Sequence, residues 1–246
     1  MTFIRFARVA LLAATVSLAL TACNTTKFDP KVATHIKSVA LQGPQDPPFY
    51  IVTMYNANIA QPAVDPYAYS YAPGGAVQNL LTGILLDAGD SDVDAAFSGK
   101  LIGEQKLRLG DDLQSALAKN LTGAGYDVAV LKPGSDTSAA GKADARMTVK
   151  FLYAGYVDQL LVPYEPLVWV HVTLTDVKTG KTLLAQRYNY STHTGNLDDV
   201  RFDPDKKYDF RSDEELLADT PRAAAGLRAA LPLIAADIAA KLKRQP

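Results

Sequence analysis

Residues 168–190, VWVHVTLTDVKTGKTLLAQRYNY, decide the fold of this chain. Apolar residues occupy every second position of the first half, which is typical of a strand with one buried face. These residues are Val168, Val170, Val172 and Leu174, while Trp169, His171, Thr173 and Thr175 point the other way. Asp176–Gly180 then predicts a tight turn, because glycine supplies the positive φ that a hairpin needs. With strands over 166–176 and 181–192, the stretch predicts an antiparallel hairpin.

Two stretches before the hairpin extend the pattern. Residues 145–158 predict a third strand, in which Met147, Val149, Phe151 and Tyr153 share one face. Residues 106–124 predict an amphipathic helix, because leucines recur four apart from Leu109 to Leu121. Gly125 is a typical residue to end that helix, and residues 126–131 continue at once as a strand. Helix, glycine and strand together form a compact α/β unit.

The remaining elements complete an α+β sandwich. Short strands are predicted at 36–41 and 49–55, and an acidic, aromatic loop at 193–211. Ser212 with Glu215 indicates a capping box. Thr220 as N-cap and Pro221 open a long final helix, which Pro232 should kink. The prediction is one α/β domain over residues 35–246, with a mixed, largely antiparallel sheet and helices packed on one face.

A long insertion at about residues 56–103 interrupts this domain and holds the candidate contact residues. Tyr67, Tyr69 and Tyr71 alternate in a proline-rich segment, so an extended chain turns them to one side. Residues 77–86 are apolar at helical spacing and include Leu80 and Ile84. Both groups are open to two interpretations, because they either contact a partner or cover the domain's own core.

The sequence offers little that points to catalysis, and we predict that the chain is not an enzyme. Its three histidines, His35, His171 and His193, lie far apart, and cysteine occurs once. No nucleophile elbow, zinc-protease motif or Cys-x-x-Cys pair is present. Residues 90–94 resemble the start of a calcium loop, but Ala95 and Leu101 stand where glycine and glutamate are required. We therefore predict a solvated turn there, with no metal and no cofactor.

The first residues carry the most specific motif. Arg5 and Arg8 precede an apolar run over residues 9–20, which is too short to span a bilayer comfortably. Leu20-Thr21-Ala22-Cys23 follows and matches the lipobox at all four positions. The segment thus resembles a bacterial lipoprotein signal peptide; the alternative is an ordinary secretory signal followed by a stray cysteine.

The lipoprotein resemblance has several implications. Residues 1–22 would be removed, Cys23 would carry a diacylglyceryl group on sulfur and usually a third acyl chain on its amine, and residues 23–34 would form a lipidated tether. Two or three acyl chains anchor a protein stably. By the same resemblance, Asn24 rather than aspartate after the cysteine points to the outer membrane, with the domain facing the periplasm.

Charge excludes one class of partner. Loss of Arg5 and Arg8 with residues 1–22 changes the formal net charge from −1 to about −3. A nucleic-acid-binding domain would instead carry a basic face. The expected partners are therefore the membrane through Cys23, and an envelope protein or a second copy of the chain.

Two stretches resemble a known type of domain. Residues 109–131 and 168–190 are similar in their order of elements to small accessory domains of periplasm-facing outer-membrane lipoproteins, including those similar to the N-terminal domain of the translocation protein TolB. The resemblance implies a non-catalytic accessory or scaffold of an envelope assembly, and the insertion departs from it. The alternative function is a carrier or sensor of a small apolar ligand or lipid, held between helices and sheet near Phe151, Val170 and Leu231.

Overall fold

The structure, a computed structural model, describes residues 25–31, 33–47, 50–54, 91–131, 142–158, 163–192 and 198–243. A 3₁₀ turn covers Lys206–Tyr208. The strands are β1 Ser38–Gln42, β2 Ile51–Met54, β3 Asp127–Leu131, β4 Ala145–Asp158, β5 Glu165–Asp176, β6 Thr182–Tyr190 and β7 Val200–Phe202. The helices are α1 Ser91–Gly103, α2 Leu109–Gly123, α3 Asp213–Ala218 and α4 Thr220–Leu242.

The strands form one seven-stranded mixed sheet, in the order β3-β1-β4-β5-β6-β7. β2 lies off this path and pairs with the second half of β4. The two longest ladders, β4–β5 and β5–β6, are antiparallel, whereas the four shorter ladders are parallel. The predicted α+β class with a mixed, largely antiparallel sheet is confirmed.

The predicted hairpin is confirmed and supplies the centre of the core. Gly180 adopts φ +69°, and its N–H donates to the Asp176 carbonyl oxygen at 2.9 Å. The inward residues of β5 are fully buried, and α2 and α4 pack against each other over this face. Burial of each such aliphatic side chain stabilises the fold by about 1.5–3 kcal/mol.

The helix–glycine–strand unit is also confirmed. Leu113, Leu117 and Leu121 of α2 are fully buried. Gly125 has φ +94°, and its N–H donates to the Thr122 carbonyl oxygen at 3.0 Å. The N–H of Tyr126 donates to the Leu121 carbonyl oxygen at 3.1 Å. This is a Schellman motif, which satisfies two terminal carbonyl groups and directs the chain into β3.

The prediction for Tyr153 is wrong. An irregularity in the β4–β5 register lies between Phe151 and Tyr153 and reverses the side-chain alternation beyond it. Tyr153 consequently packs with Trp169 in a second small cluster, separate from the main core. Trp169 lies on the face predicted to be outward, yet it is only 5% exposed.

The predicted solvated turn at residues 90–94 is wrong from residue 91 onward, because α1 begins there. Asp92 and Asp94 lie in its first turn, where the helix dipole favours negative charge. The Asp94 carboxylate accepts a hydrogen bond from the Val52 N–H at 2.6 Å. The Ser98 hydroxyl bonds both the N–H and the carbonyl of Tyr50. The aspartate repeat thus starts a helix whose side chains bond the backbone beside and within β2.

The C-terminal region agrees with the prediction except in detail. Ser212 caps α3 as predicted, accepting from the Glu215 N–H at 3.2 Å. The N-cap of α4 is Asp219 rather than Thr220. Pro232 lies inside the helix, as the sequence predicts. β7 and the 3₁₀ turn lie where only a loop was predicted. Among the described residues, α4 alone is long and apolar enough to cross a membrane, but 56% of that apolar window is buried within the fold.

Candidate functional site

The sequence-predicted site residues lie outside the part of the chain that the structure describes. These residues are Cys23, Tyr67, Tyr69, Tyr71, Leu80 and Ile84. Their roles in lipidation and partner contact therefore stay predictions. Of the predicted insertion, residues 91–103 are described, and as α1 they place Phe97 and Leu101 in the main core.

The N-terminal segment, predicted to be a tether, is attached to the sheet. The Thr26 N–H donates to the Ala185 carbonyl oxygen at 2.9 Å, and the Ala185 N–H donates to the Thr26 carbonyl oxygen at 2.9 Å. This isolated antiparallel bridge lies on β6. Further along, Ala33 and Ile36 are buried in the core. The chain is thus bound to the fold from Thr26 onward, three residues after Cys23.

A polar contact fastens the other end of this segment. His35 Nε2 lies 2.7 Å from the Asp176 carboxylate at the hairpin turn. The same carboxylate accepts from the Thr179 N–H at 2.8 Å. The Thr179 N–H and the His35 ring lower the pKa of Asp176, because both stabilise its ionised form. Asp176 therefore holds the hairpin turn and the N-terminal segment together.

Asp144 makes a second junction beside the first. Its Oδ2 accepts from the Lys37 N–H at 2.8 Å, the Ser38 N–H at 2.9 Å and the Ser38 hydroxyl at 2.9 Å. The two backbone N–H groups are the main cause of the lowered pKa of Asp144. The Asp144 carbonyl oxygen accepts from the Val177 N–H at 2.9 Å. One residue thus joins the starts of β1 and β4 to the hairpin turn.

We call His35, Ser38, Asp144 and Asp176 the N-terminal clasp. Nucleophilic catalysis needs a hydroxyl that donates to its base, with the base oriented by an acid. In the clasp, the Ser38 hydroxyl donates to Asp144, whereas His35 contacts Asp176. The arrangement fits a fastening role, because the His35–Asp176 and Ser38–Asp144 contacts each join two different segments of the chain.

Other acidic side chains are also engaged in contacts within the fold. The buried Glu165 carboxylate accepts from the hydroxyls of Ser191 and Thr192 and from the Thr192 N–H at 2.8 Å. In the acidic loop, Asp199 pairs with Arg187 at 2.9 Å and Asp205 with Lys207 at 2.8 Å. Within the described ranges, no group of three or more His, Cys, Asp or Glu residues could hold a metal ion.

Acid is expected to loosen the clasp. Because the folded pKa values of Asp144 and Asp176 are lowered, their stabilisation is fully present above the ordinary aspartate pKa of about 3.9 and is lost as the pH falls through the folded values. An Asp144→Ala variant should lose about 1–2 kcal/mol of unfolding free energy at pH 6. At pH 3 the difference from the parent protein should shrink.

Urea unfolding at both pH values measures this effect. Asp203→Ala, which removes an exposed carboxylate after β7, is the matched control and should follow the parent protein at each pH. A difference between the parent protein and Asp144→Ala that is equal at pH 6 and pH 3 contradicts the role given to Asp144.

Comparisons with known proteins place the chain in no family. No protein-family model matches it, and no curated protein matches it. A PelC dodecamer from Paraburkholderia phytofirmans is similar over 89% of this chain and 95% of its own, with 12% identity and a TM-score of 0.36. Protein XCC0632 from Xanthomonas campestris, of family DUF330, is similar over 83% of this chain and 81% of its own, with 11% identity and a TM-score of 0.36.

The lipoprotein GNA1162 from Neisseria meningitidis is also similar, over 65% of this chain and 88% of its own. Its identity is 12% and its TM-score is 0.23. At such low scores, none of these similarities bears on function, which has to be inferred from the chain's own residues.

Proposed function

We propose that the chain is a non-catalytic lipoprotein, anchored through acylated Cys23 in the outer membrane and facing the periplasm. In this proposal it serves as an accessory or scaffold of an envelope assembly. The lipobox Leu20-Thr21-Ala22-Cys23 carries the proposal.

Two features of the described residues support this function. The attachment of Thr26 to Ala185 makes the anchor continuous with the sheet, so the domain stays beside the lipid surface. In the clasp, the Ser38 hydroxyl donates to Asp144, and His35 contacts Asp176 rather than the serine. A scaffold protein needs a stable fold that holds its contact surface, and it needs no reactive centre.

The contact with the partner is assigned to the insertion, with Tyr67, Tyr69 and Tyr71 as its aromatic side and Leu80 and Ile84 in its apolar part. Aromatic residues are enriched in protein interfaces because they bury a large area at low entropic cost. The contact is either to an envelope protein or to another copy of the chain. Both predict a defined complex in the membrane.

Light scattering of the detergent-solubilised protein, after crosslinking in envelopes, tests this function. We expect either a defined oligomer or one recurrent crosslinked partner. A variant with Tyr67, Tyr69 and Tyr71 each changed to Ser should lose that complex. Val130→Ser, which alters a residue 52% exposed on β3, should keep it. A monomer without any crosslinked partner contradicts the scaffold function and directs attention to co-purified lipid.

A further inference from the structure

One half of the sheet's outer face, the face away from the helices, is apolar. Leu152, Val157, Leu167 and Trp169 form a cluster there, with Tyr153 packed beside them, and none of the four is more than 6% exposed. We call these five residues the outer cluster. All of them belong to β4 and β5, whereas the buried apolar residues of the four helices belong to the main core. In the described part of the chain, no helix therefore shields the outer cluster from water.

The rest of the same face is polar and partly exposed. His171 and Thr173 of β5 are half-buried, and Lys150 of β4 is exposed. The change from polar to apolar comes at the irregularity of the β4–β5 register before Tyr153. The segment that packs on this face is therefore confined to the apolar half.

The Trp169 indole places a second requirement on that segment. Its Nε1 atom is buried, and within the described ranges it has no hydrogen-bond acceptor. The guanidinium of Arg187 lies 6.0 Å from the ring centroid, but it can only donate. A buried donor without an acceptor is destabilising, and native proteins nearly always provide one. The segment has to supply an acceptor as well as apolar surface.

The insertion begins and ends beside the outer cluster. β2 finishes at Met54, which is in register with Asp158, one residue beyond the outer cluster in β4. At the other end, α1 returns to β2, because the Asp94 carboxylate accepts from the Val52 N–H at 2.6 Å. Residues 55–90 thus leave and rejoin the fold at the strand that borders the outer cluster.

Ile51 of β2 extends the apolar surface towards the insertion. It is in register with Gly155, and Gly155 is in register with Leu167, so the three lie in one row across the sheet. Ile51 is 4% exposed, while the residues on either side of it lie in the main core. Trp169 lies two strands from β2, or about 10 Å. A chain that leaves β2 can therefore cross the outer cluster within a few residues.

Two shorter connections fit this position less well. Residues 159–162 join β4 to β5, and residues 193–197 follow β6. Each lies about four or more residues past the level of Trp169, a distance of about 13 Å or more. Neither is long enough to return over the tryptophan and keep both of its ends in place. The insertion is long enough, and its residues 77–86 supply apolar side chains.

We propose that residues 55–90 pack against the outer cluster and that an oxygen of this segment accepts the hydrogen bond of the Trp169 indole N–H. The inference goes beyond the proposed function, because it gives the insertion a contact within its own chain, and it does not depend on the lipid anchor. The insertion is then held on the side of the sheet opposite the helices and meets its partner there.

Trp169 is the only tryptophan of the chain, so its fluorescence reports on the outer cluster alone. A detergent with brominated acyl chains quenches an indole that it contacts. In the purified full chain we expect weak quenching. Replacing residues 57–88 by a Gly-Ser linker should raise it, whereas the same replacement of residues 133–140, the connection between β3 and β4, should not. Strong quenching in the full chain, or no rise when the insertion is replaced, overturns the proposal.

A photo-crosslinker tests the same contact without relying on a shortened variant to fold. The reagent p-benzoylphenylalanine is placed at position 153, where Tyr153 is half-buried beside the outer cluster. It should crosslink to residues 55–90 and leave the protein at monomer mass in denaturing electrophoresis. The same group in place of Thr173, on the polar half of the face, should not reach the insertion.

A product from position 153 that contains no peptide from residues 55–90 of the same chain overturns the proposal. A crosslink to a second copy or to another protein is one such product. That result leaves the lipid anchor and the partner contact standing, because intact mass and light scattering measure those separately.

Discussion

A Cys23→Ser variant is expected to lose all incorporation of radiolabelled palmitate. The diacylglyceryl group is joined through a thioether, and the serine hydroxyl does not provide the sulfur on which that bond is made. The protein has one cysteine, so no other thiol can replace it. Since each buried methylene of an acyl chain contributes about 0.8 kcal/mol to membrane binding, the loss of two or three chains removes the anchor.

Metabolic labelling followed by electrophoresis of envelope fractions measures this change. The readout is the palmitate incorporated into the protein, and not the fraction in which the protein is found. The reason is that an uncleaved apolar segment at residues 9–20 would also hold the precursor in a membrane. Ser38→Ala, which alters the clasp and leaves the lipobox intact, is a control and should incorporate palmitate normally. Equal labelling of the parent protein and Cys23→Ser contradicts the lipoprotein assignment.

Replacing Gly155 by alanine is expected to give the largest loss of stability among single substitutions in the sheet. Gly155 is in register with Ile51 where β2 pairs with β4. A Cβ at this position would lie 2.7 Å from the Ile51 nitrogen and 2.8 Å from its carbonyl carbon, and would also overlap the carbonyl oxygen. Those atoms belong to a hydrogen-bonded strand and cannot rotate away, so we expect a loss of about 3 kcal/mol or more.

Thermal unfolding tests this substitution against Gly99→Ala in α1. No atom lies within 4 Å of a Cβ built at Gly99, and alanine is the better helix former, so that variant should gain about 0.5 kcal/mol. For a chain of this length, Gly155→Ala should lower the melting temperature by roughly 6–12 °C. A shift within 2 °C of the parent protein, as roughly expected for Gly99→Ala, contradicts the close pairing of β2 with β4.

Local patterns were sufficient to predict the centre of this fold. The alternation from Val168 to Leu174, the leucine spacing of α2 and the glycines at 125 and 180 act through neighbouring residues, and the structure has them as predicted. The irregularity before Tyr153 escaped prediction because one extra residue in a ladder leaves no mark on composition. β7, three residues long, is too short for alternation to be recognised.

The clasp escaped prediction for a different reason. His35 and Asp176 are 141 residues apart in sequence, and only the completed sheet brings them to 2.7 Å. An aspartate directly before a strand, such as Asp144 before β4, is common and does not indicate a distant partner. Its three hydrogen bonds to residues 37 and 38 therefore could not be inferred from the sequence. Nor does any local signal at Thr26 indicate its pairing with Ala185 of β6.

The intact mass of the mature protein, purified from envelopes in detergent, shows whether Cys23 is the acylated first residue. We expect a chain that begins at Cys23 and carries two or three acyl chains, with no free thiol. A chain that begins at another residue, or one whose Cys23 reacts as a free thiol, would contradict the lipid anchor.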